Sequence, residues 1–283
     1  MDLAPSTDPE RHIRLGTGAP GIERMEAHFS GKPFAPHRHD TYAIGLTVAG
    51  VQRFRFRGAT WHCLPGQCHI LHPDELHDGE AGTATGFGYK MAYVDPGLVQ
   101  QALGGQALPF VARPVLQVPR LIADSETAIW DMDGVLDDVR EVDLVYAVTQ
   151  LLLAGAPAHR LPGRSTPALA VDAVTRVRDL IADDPLARCA MAQLENVSGL
   201  DRWTLARQFR LLFGTSPSRY RTLRQVALAR RLLLQGAPLV DAAADSGFAD
   251  QSHLSRQFKS AYGLSPGRWL QALAPSGPPS GRQ

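Results

Sequence analysis

Leu205-Ala-Arg-Gln-Phe-Arg-Leu-Leu-Phe-Gly-Thr-Ser-Pro217 and Leu254-Ser-Arg-Gln-Phe-Lys-Ser-Ala-Tyr-Gly-Leu-Ser-Pro266 are two versions of one segment, set 49 positions apart. Each version follows a short helical stretch and a turn, over 192–199 before the first and 241–248 before the second. A helix, a tight turn and a second helix with basic outward residues is the layout of a helix-turn-helix that contacts DNA. The repeat therefore predicts two DNA-contacting motifs on one rigid body.

The charge of the chain is divided unevenly along its length. From Arg164 to the end, 16 Lys and Arg stand against 9 Asp and Glu, a net of +7. The preceding 163 residues carry 13 basic and 19 acidic side chains, a net of −6. A basic module can lie on phosphates while an acidic one stays off them, although chance variation in surface composition can produce the same difference. The length of 283 residues, with 44% apolar residues, predicts two domains with real cores.

Several classes of protein are excluded by the remaining composition. Residues 1–10 are polar and lack the apolar core of a signal peptide, and the apolar run 144–156 is too short to span a bilayer. Cys63, Cys68 and Cys189 fit neither a disulfide framework nor the spacing of a zinc finger. We therefore expect a protein of the reducing cytoplasm with no membrane contact.

Gly and Pro residues mark the breaks between predicted strands and helices, and the order of these elements predicts an α+β, multidomain fold. Short strands are expected at 28–29, 42–48, 53–57, 69–71 and 87–94, which suggests a small barrel or sandwich. Helices are expected at 96–103, 125–136 and 138–154, and then throughout the C-terminal third. The predicted units are a mobile arm at 1–20, a barrel at 21–95, a helical dimerisation segment at 96–154, a linker at 155–167, a double helix-turn-helix domain at 168–272 and a disordered tail at 273–283.

The first motif has a core face and an exposed face. Asp201 is expected to cap its inserted helix, because a carboxylate accepts the free backbone N–H groups at a helix start. Leu205, Phe209 and Leu212 share the face that points into the core. The opposite face carries Arg202, Trp203, Arg207 and Arg210. Arginine can grip a guanine edge and tryptophan can pack on sugar or a thymine methyl, whereas a solvated helix face is the alternative.

The second motif is expected to repeat this design after a long connecting helix. That helix should run from Pro217 to Leu234, with outward arginines at Arg219, Arg221, Arg224, Arg230 and Arg231. Asp250 is the expected cap of the second inserted helix, which spans 251–262. Its exposed positions are Gln251, Ser252, Ser255, Arg256 and Lys259. Matching core, cap and arginine positions in two copies favour DNA contact over a merely solvated face.

The stretch Gly247-Phe-Ala-Asp-Gln-Ser-His-Leu-Ser-Arg-Gln-Phe-Lys-Ser-Ala-Tyr-Gly-Leu-Ser-Pro266 resembles the signature of the AraC/XylS family of bacterial transcription regulators. The resemblance covers about residues 171–270. It implies that the residues facing the major groove are Arg202, Trp203, Ala206 and Arg207 in the first inserted helix, and Gln251, Ser252, Ser255 and Arg256 in the second. The sequence departs from the family pattern at Glu195, where a small residue is usual, at the cap Asp201, and at Ala206, which cannot hydrogen-bond a base.

The N-terminal half resembles the cupin-type effector domain of the same family. The resemblance rests on His37-Arg-His39, Leu64-Pro-Gly66 and His72-Pro-Asp-Glu-Leu-His77. It implies a cupin-like barrel, in which His37, His39 and His77 match three metal-ligating histidines of cupin enzymes. Ala43 and Ile44 occupy the places of the glutamate ligand. Three imidazoles could still hold zinc or iron, but we predict no metal and no cofactor, and histidines that serve as hydrogen-bonding groups, titrating between about pH 5 and 8, or as structural residues.

An effector pocket needs aromatic walls and a few directed polar groups. The candidate effector-binding residues are His37, His39, Tyr42, Trp61, His77 and Tyr89. For each aromatic residue, barrel core is an equally good interpretation. Arg53, Arg55 and Arg57 alternate with phenylalanines and are expected on an exposed face.

The favoured function is a non-enzymatic, sequence-specific regulator of transcription, controlled by a small-molecule effector in the barrel. The alternatives are a metal-dependent cupin enzyme fused to a DNA-binding module, and an architectural DNA binder without a ligand. The expected partners are double-stranded DNA, the effector, a second copy of the chain and, as a candidate, RNA polymerase. The apolar helix 138–154 predicts a homodimer, with closure of the barrel's open end as the alternative.

Overall fold

A computed structural model describes residues 12–117, 129–156 and 169–273. An antiparallel β domain is followed by a helical segment and then by an all-α half. This confirms the predicted fold class. The expected linker and tail fall almost entirely on 157–168 and 274–283, outside the described residues, as do residues 1–11 of the expected arm.

The β domain consists of two antiparallel sheets that enclose a common core. One sheet has the order β1-β2-β9-β4-β7-β10 and the other β3-β8-β5-β6. The strands are β1 His12–Leu15, β2 Ile22–Phe29, β3 Phe34–His37, β4 Tyr42–Gly50, β5 Gln52–Phe56, β6 Ala59–Cys63, β7 Gln67–Leu71, β8 His77–Ala81, β9 Phe87–Val94 and β10 Val115–Gln117. In β5 the phenylalanines are buried while Arg53 and Arg55 are exposed, as the alternation predicts.

The edges of the sheets differ from the sequence prediction. Residues 12–15, expected within a mobile arm, form a strand that pairs with β2 and buries Ile13. Strand β10 joins the sheet beside β7, so the β domain continues past the expected limit at residue 95. Four-residue β3 and three-residue β10 carry too few residues to show a clear alternation, and their pairing partners lie far away in sequence.

Helix α1 Pro96–Ala102 lies between β9 and β10, and helix α2 Asp138–Gly155 follows β10. Helix α2 buries Leu144, Val148 and Leu151 in one cluster with Ile44 and Ile70, the outward residues of the six-stranded sheet. It therefore covers an outer sheet face rather than an open barrel end. Of the helix expected over 125–136, residues 129–130 are helical, residues 131–136 are not, and residues 125–128 lie outside the described residues.

The C-terminal half contains the two predicted motifs. Its helices are α3 Val171–Asp183, α4 Met191–Ser198, α5 Arg202–Phe213, α6 Pro217–Leu234, α7 Leu239–Asp245, α8 Gln251–Tyr262 and α9 Pro266–Leu273. The first motif is the pair α4–α5, and the second motif is the pair α7–α8. Asp201 and Asp250 accept backbone N–H groups as predicted. Both inserted helices end on glycines in the left-handed region, Gly214 at φ 74° and Gly263 at φ 72°.

The two motifs are buried differently. The first motif has a separate core that includes Leu205, Phe209 and Val177. The core of the second motif, around Phe258 and Trp269, is continuous with the interior of the β domain. The second motif is therefore fused to the β domain, whereas the first contacts it only at its margin.

Candidate nucleic-acid interface and interdomain site

Helix α5 presents most of its predicted DNA-contacting residues to solvent. Arg202 and Arg207 are exposed, and Trp203 is 77% exposed, while Ala206 is half-buried. A tryptophan of this exposure has no packing role inside the chain. The geometry thus fits a surface that is completed by a partner.

Arg202 has an acidic neighbour on the preceding helix. Glu195 on α4 accepts the backbone N–H of Arg202 at 2.9 Å, and its carboxylate lies 3.3 Å from the Arg202 guanidinium. Glu195 thus helps to cap α5 and also draws the Arg202 side chain toward α4. Because the pair is partly exposed, it contributes little to stability, and the guanidinium can be recruited elsewhere.

Helix α8 carries the second set of predicted DNA-contacting residues. Gln251, Ser252 and Arg256 are exposed, and Ser255 is half-buried. Lys259 is also exposed and lies one turn beyond Ser255 and Arg256 on the same helix. The structure therefore places both predicted DNA-contacting sets on accessible helix faces.

The arginines of α6 are not all outward, which corrects the sequence prediction. Arg231 is exposed, and Arg221 donates to the carbonyl of Pro185 at 2.9 Å. Three others turn toward acidic side chains of the β domain. Arg219 lies 3.7 Å from Asp74, Arg224 pairs with Asp40, and Arg230 donates to Glu23 at 2.6 Å.

Docking of the β domain turns these arginines inward. An isolated α6 would expose these arginines, but in the folded chain the β domain covers that side of the helix. Buried charge is tolerated only when it is paired, and the acidic β domain supplies the partners. Although burial alone would lower it, the carboxylate of Asp40 raises the pKa of Arg224 further above its ordinary value. Part of the charge division along the sequence therefore serves contact between the domains.

The β domain contacts the C-terminal end of α5. A Cβ placed on Gly214 would lie 2.5 Å from the Cβ of Pro73, so the turn between β7 and β8 packs directly on this helix end. Thr215 donates its hydroxyl to Asp74 at 3.1 Å, and the Leu108 N–H lies 3.4 Å from the Leu211 carbonyl. The carbonyls at a helix end lack partners within the helix, and the β domain supplies one here.

The same contact is made at the repeat-equivalent end of α8. The Arg38 N–H donates to the Ser260 carbonyl at 2.9 Å, and Ser260 is the counterpart of Leu211. The Ala35 N–H donates to the Gly263 carbonyl at 3.2 Å. A Cβ on Gly263 would lie 2.8 Å from Nδ1 of His37. The β domain thus holds both inserted helices at their C-terminal ends.

The turn at Asp74 is strained. Its φ of 59° lies in the left-handed region, which is uncommon for a residue other than glycine. The Asp74 N–H donates to the His39 carbonyl at 2.6 Å, so the turn is tied to the strand region that holds the histidines. Strain of this kind persists only where surrounding contacts hold it.

The three predicted histidines come together. The ring centroid of His77 lies 4.2 Å from that of His37 and 4.9 Å from that of His39. Each Nδ1 contacts the carbonyl of a residue two positions away, at 2.8 Å for His37, 2.9 Å for His39 and 2.9 Å for His77. Burial lowers the pKa of His37 to about 3, and it also lowers the pKa values of His39 and His77. Burial therefore favours the neutral form of all three imidazoles.

The cupin-type metal site is incomplete at its carboxylate position. Ala43 and Ile44, which occupy the glutamate's places, are buried in the hydrophobic clusters on either side of β4. Within residues 12–117, 129–156 and 169–273, no group of three or more His, Cys, Asp or Glu has an arrangement that would hold a metal ion. The described residues therefore do not supply the ligand set of a carboxylate-containing cupin.

The predicted aromatic residues do not surround the histidines. Tyr42 faces the α2 side of the sheet, where its ring lies 5.3 Å from that of His72. Tyr89 stacks on Phe87 inside the β domain, and Trp61 donates to the Phe56 carbonyl at 3.3 Å. The interior is closely packed at Gly45, where an added Cβ would lie 2.0 Å from the ring of His69.

A cavity of about 170 Å³ lies instead between the two domains. His37 and His39 line it, whereas the other four candidate effector residues do not. Its apolar and aromatic walls come from both domains: Ile13, Leu15, Met25, Phe34 and Tyr93 from the β domain, and Leu223, Ala227, Ala261, Tyr262, Leu264 and Trp269 from the helical half. Sequence reasoning missed this site because its walls meet only when the domains dock.

Charged residues of both signs line the same cavity: Glu23, Arg24, Asp40, Asp95, Arg224 and Arg230. Arg224 and Arg230 both line it, and their Nε atoms are buried without a hydrogen-bond partner among the described residues. A buried N–H without an acceptor costs free energy, so each Nε would gain from an acceptor that reached it. The guanidinium of Arg230 also lies over the rings of Tyr262 and Trp269, at 5.3 and 5.5 Å. The cavity therefore joins apolar walls to directed donors, as small-molecule sites do.

No helix among the described residues is both long enough and apolar enough to cross a bilayer.

Two family models match the chain. The AraC-like ligand binding domain matches residues 19–148, and the Helix-turn-helix domain matches residues 194–272. The HTH-type transcriptional regulator YbfI of Bacillus subtilis is 24% identical over 226 residues, covering 78% of this chain and 81% of that protein. An AraC-like transcription regulator of Streptomyces lividans is 28% identical over 168 residues, covering 54% of this chain and 55% of that protein.

Solved structures of ToxT from Vibrio cholerae share the arrangement of both domains. One has a TM-score of 0.63 at 10% identity and covers 90% of this chain and 100% of that chain. A second, bound to unsaturated fatty acid, has a TM-score of 0.61 at 11% identity, with 95% and 98% covered. At this identity the likeness concerns the fold. The two matched models, the double motif and its accessible helix faces together show that the chain belongs to the AraC family of effector-controlled, DNA-binding transcriptional regulators.

Proposed function

We propose that this regulator senses its effector in the cavity between the domains and contacts DNA through α5 and α8. The observation that supports this most is the composition of the cavity wall. It includes His37 and His39 of the β domain together with Arg224 and Arg230 of α6, the helix that connects the two motifs. A ligand bound there contacts both domains, so its binding energy depends on how they are docked.

The proposed DNA contacts follow from exposure. Arg202, Trp203 and Arg207 of α5 and Gln251, Ser252 and Arg256 of α8 lie on open helix faces. The half-buried Ala206 and Ser255 complete the two surfaces. Exposed arginines reach guanine edges and phosphates, while Ala206 offers only a methyl contact.

The proposed effector is a monocarboxylate with an apolar tail. The apolar walls suit a hydrocarbon chain, and the Nε donors of Arg224 and Arg230 suit a carboxylate head. The unsaturated fatty acid bound in one ToxT structure belongs to the same chemical class. Glu23, whose side chain is 49% exposed, is the competing carboxylate on Arg230, and it can move into water at little cost.

The effector proposal can be tested with the full chain. We expect oleate to raise the melting temperature, whereas oleyl alcohol, which lacks the carboxylate, should not. Ala227 lines the cavity, so Ala227→Phe should fill it and abolish the shift. Ala244→Phe makes the same change at an exposed position of α7, outside the cavity, and is the matched control. A shift that survives Ala227→Phe would contradict the site, and a shift with a different ligand that Ala227→Phe abolishes would contradict only the class.

We also propose a homodimer through α2. Val139, Val142 and Tyr146 are 71%, 67% and 60% exposed and recur at three- and four-residue spacing. The buried face of the same helix already covers the sheet, so this second apolar stripe is available for a partner helix. Sedimentation of Val142→Asp should show a monomer where the wild type sediments as a dimer, and a monomeric wild type would contradict the proposal.

Action in the cytoplasm and the absence of enzymatic activity belong to the same proposal. The family is one of DNA-binding regulators, and the described residues lack a metal-binding carboxylate in the cupin position. A metal-dependent cupin enzyme would retain one equivalent of metal after purification without a histidine tag. An architectural binder would show no ligand-dependent change in melting temperature or DNA affinity.

A further inference from the structure

A basic groove runs between the β domain and the second motif. It has a volume of about 410 Å³ and lies where the turn after β2 meets α8 and α9. Lys32 contributes from the β domain, Lys259 from α8 and Arg268 from α9. All three side chains are exposed. The groove is therefore built from both domains, but on the outer surface rather than in the effector cavity.

The charge of this groove is not balanced by the chain around it. Within the part of the chain that the structure describes, Lys32, Lys259 and Arg268 make no ion pair with a carboxylate. The described residues that line the groove also include no carboxylate. Three cations around one concave surface attract an anion, because each gains from a shared negative charge.

The position of the groove identifies the anion. Lys259 follows Ser252, Ser255 and Arg256 at three- and four-residue spacing, so it lies on the face of α8 that carries the proposed base contacts. When such a helix enters the major groove, the residues beyond the base-contacting turn meet the sugar-phosphate backbone. Arg268 and Lys32 extend the positive surface outward from that end of the helix.

The repeat provides an internal reference. Arg210 and Arg219 of the first motif stand 49 positions before Lys259 and Arg268. There the β domain places Asp74 against Arg219, at 3.7 Å, and fills the neighbouring space with Pro73. At the second motif, Lys32 and Arg268 line the groove together, and the described residues that line it include no carboxylate. One copy of the anion-facing surface is thus occupied by the chain's own carboxylate, and the other is open.

We propose that this groove binds a phosphate of the DNA backbone, and that Lys32 is a DNA contact supplied by the ligand-binding domain. The second motif and the β domain would then contact DNA together. Docking of the β domain on α8 thereby increases the affinity of the second motif for its half of the DNA site. The inference requires the DNA binding of the family and does not depend on the identity or position of the effector.

The test measures DNA affinity of the full chain against salt concentration, on a duplex selected from a random library. Lys32→Ala should lower the affinity about two- to fivefold and reduce the salt slope by about 0.9, the value for one phosphate contact. Lys32→Arg should restore both. Arg55→Ala removes an exposed cation from another strand of the same domain, and it should leave the slope unchanged.

Three outcomes would overturn the proposal. The first is an unchanged salt slope in Lys32→Ala, with wild-type melting temperature. The second is an equal loss in Arg55→Ala, which would indicate the general field of the domain rather than a site. The third is competition by inorganic phosphate at the groove with no effect of Lys32→Ala on DNA, which would assign the groove to a free anion. Failure of the wild type to bind any selected duplex would instead contradict the family function.

Discussion

The first and second motifs share a scaffold, yet the ligand-binding domain treats them differently. Phe209 of the first motif lies in a separate core, whereas Phe258, its counterpart, lies in a core continuous with the β domain. The first motif is held from outside by the strained turn at Asp74, and the second by backbone hydrogen bonds from β3 and its surroundings. Repetition in sequence therefore does not give the two motifs equal freedom. We expect the first motif to detach more readily, because its core is separate from that of the β domain.

The β domain also presents different charges to the two motifs. The β domain pairs Asp74 with Arg219 of the first motif, whereas at the second motif Lys32 lines a groove with Arg268, the counterpart of Arg219. A carboxylate there competes with a DNA phosphate, while a lysine adds to its attraction. We therefore expect the docked state to favour DNA contact by the second motif, and we expect DNA contact by Arg219 to require release of Asp74.

The largest expected effect separates the two cores. Phe209→Ala and Phe258→Ala each remove a fully buried ring and should each cost about 3–5 kcal/mol in the free energy of unfolding. Hydrogen exchange should rise only in α3–α6 for Phe209→Ala. For Phe258→Ala it should rise in α7–α9 and also in the strands β1 and β3. Identical exchange patterns would show that the motifs share one cooperative unit.

The two motifs should contact different halves of the DNA site. Arg207→Ala and the equivalent Arg256→Ala should each weaken binding by roughly 1–3 kcal/mol and relax the preference at one base step. Footprints should shrink at one end for Arg207→Ala and at the other, about 10 base pairs away, for Arg256→Ala. Arg231→Ala, at an exposed arginine of α6, is the control. A uniform loss along the footprint would show that these arginines contact phosphates or are structural.

Acid should loosen the side that holds the second motif. The pKa values of His37, His39 and His77 are lowered by burial, so between pH 6.5 and the folded values the unfolded chain binds more protons. Stability should therefore fall as the pH drops below about 6.5, by at most about 1.4 kcal/mol per pH unit for each histidine. Urea unfolding at several pH values measures this slope. His37→Gln should reduce it, whereas His62→Gln, at an exposed side chain, should not.

The smallest effect concerns the turn at the first motif. Asp74→Asn keeps an acceptor for Thr215 and tolerates positive φ, but it removes the charge that faces Arg219. DNA affinity should rise by roughly 0.5–1 kcal/mol, as expected for loss of a partly exposed ion pair that competes with phosphate. Glu80→Gln removes a carboxylate paired with Arg53 and is the matched control. Unchanged affinity in Asp74→Asn would mean that Asp74 does not restrain the first motif.

Local sequence patterns were sufficient to predict the helices of the two motifs and their exposed faces. The inserted helix α8 and the connecting helix α6 have the predicted bounds, and both predicted aspartate caps are in place. Helix periodicity, capping and the buried face of a motif depend on residues three to seven positions apart, so a single sequence contains them. For the same reason the sequence was enough to assign the family, whose signature is a local repeat.

Contacts between distant segments were decided only by the tertiary structure. The sequence does not show that Arg224 faces Asp40, that Arg230 faces Glu23, or that Tyr42 lies on the opposite side of the sheet from the histidines. The strand at residues 12–15 and the interdomain cavity were missed for the same reason. A side chain on an amphipathic helix can face water or another domain with the same local pattern. Which of the two occurs depends on docking, and docking depends on shape and charge summed over both surfaces.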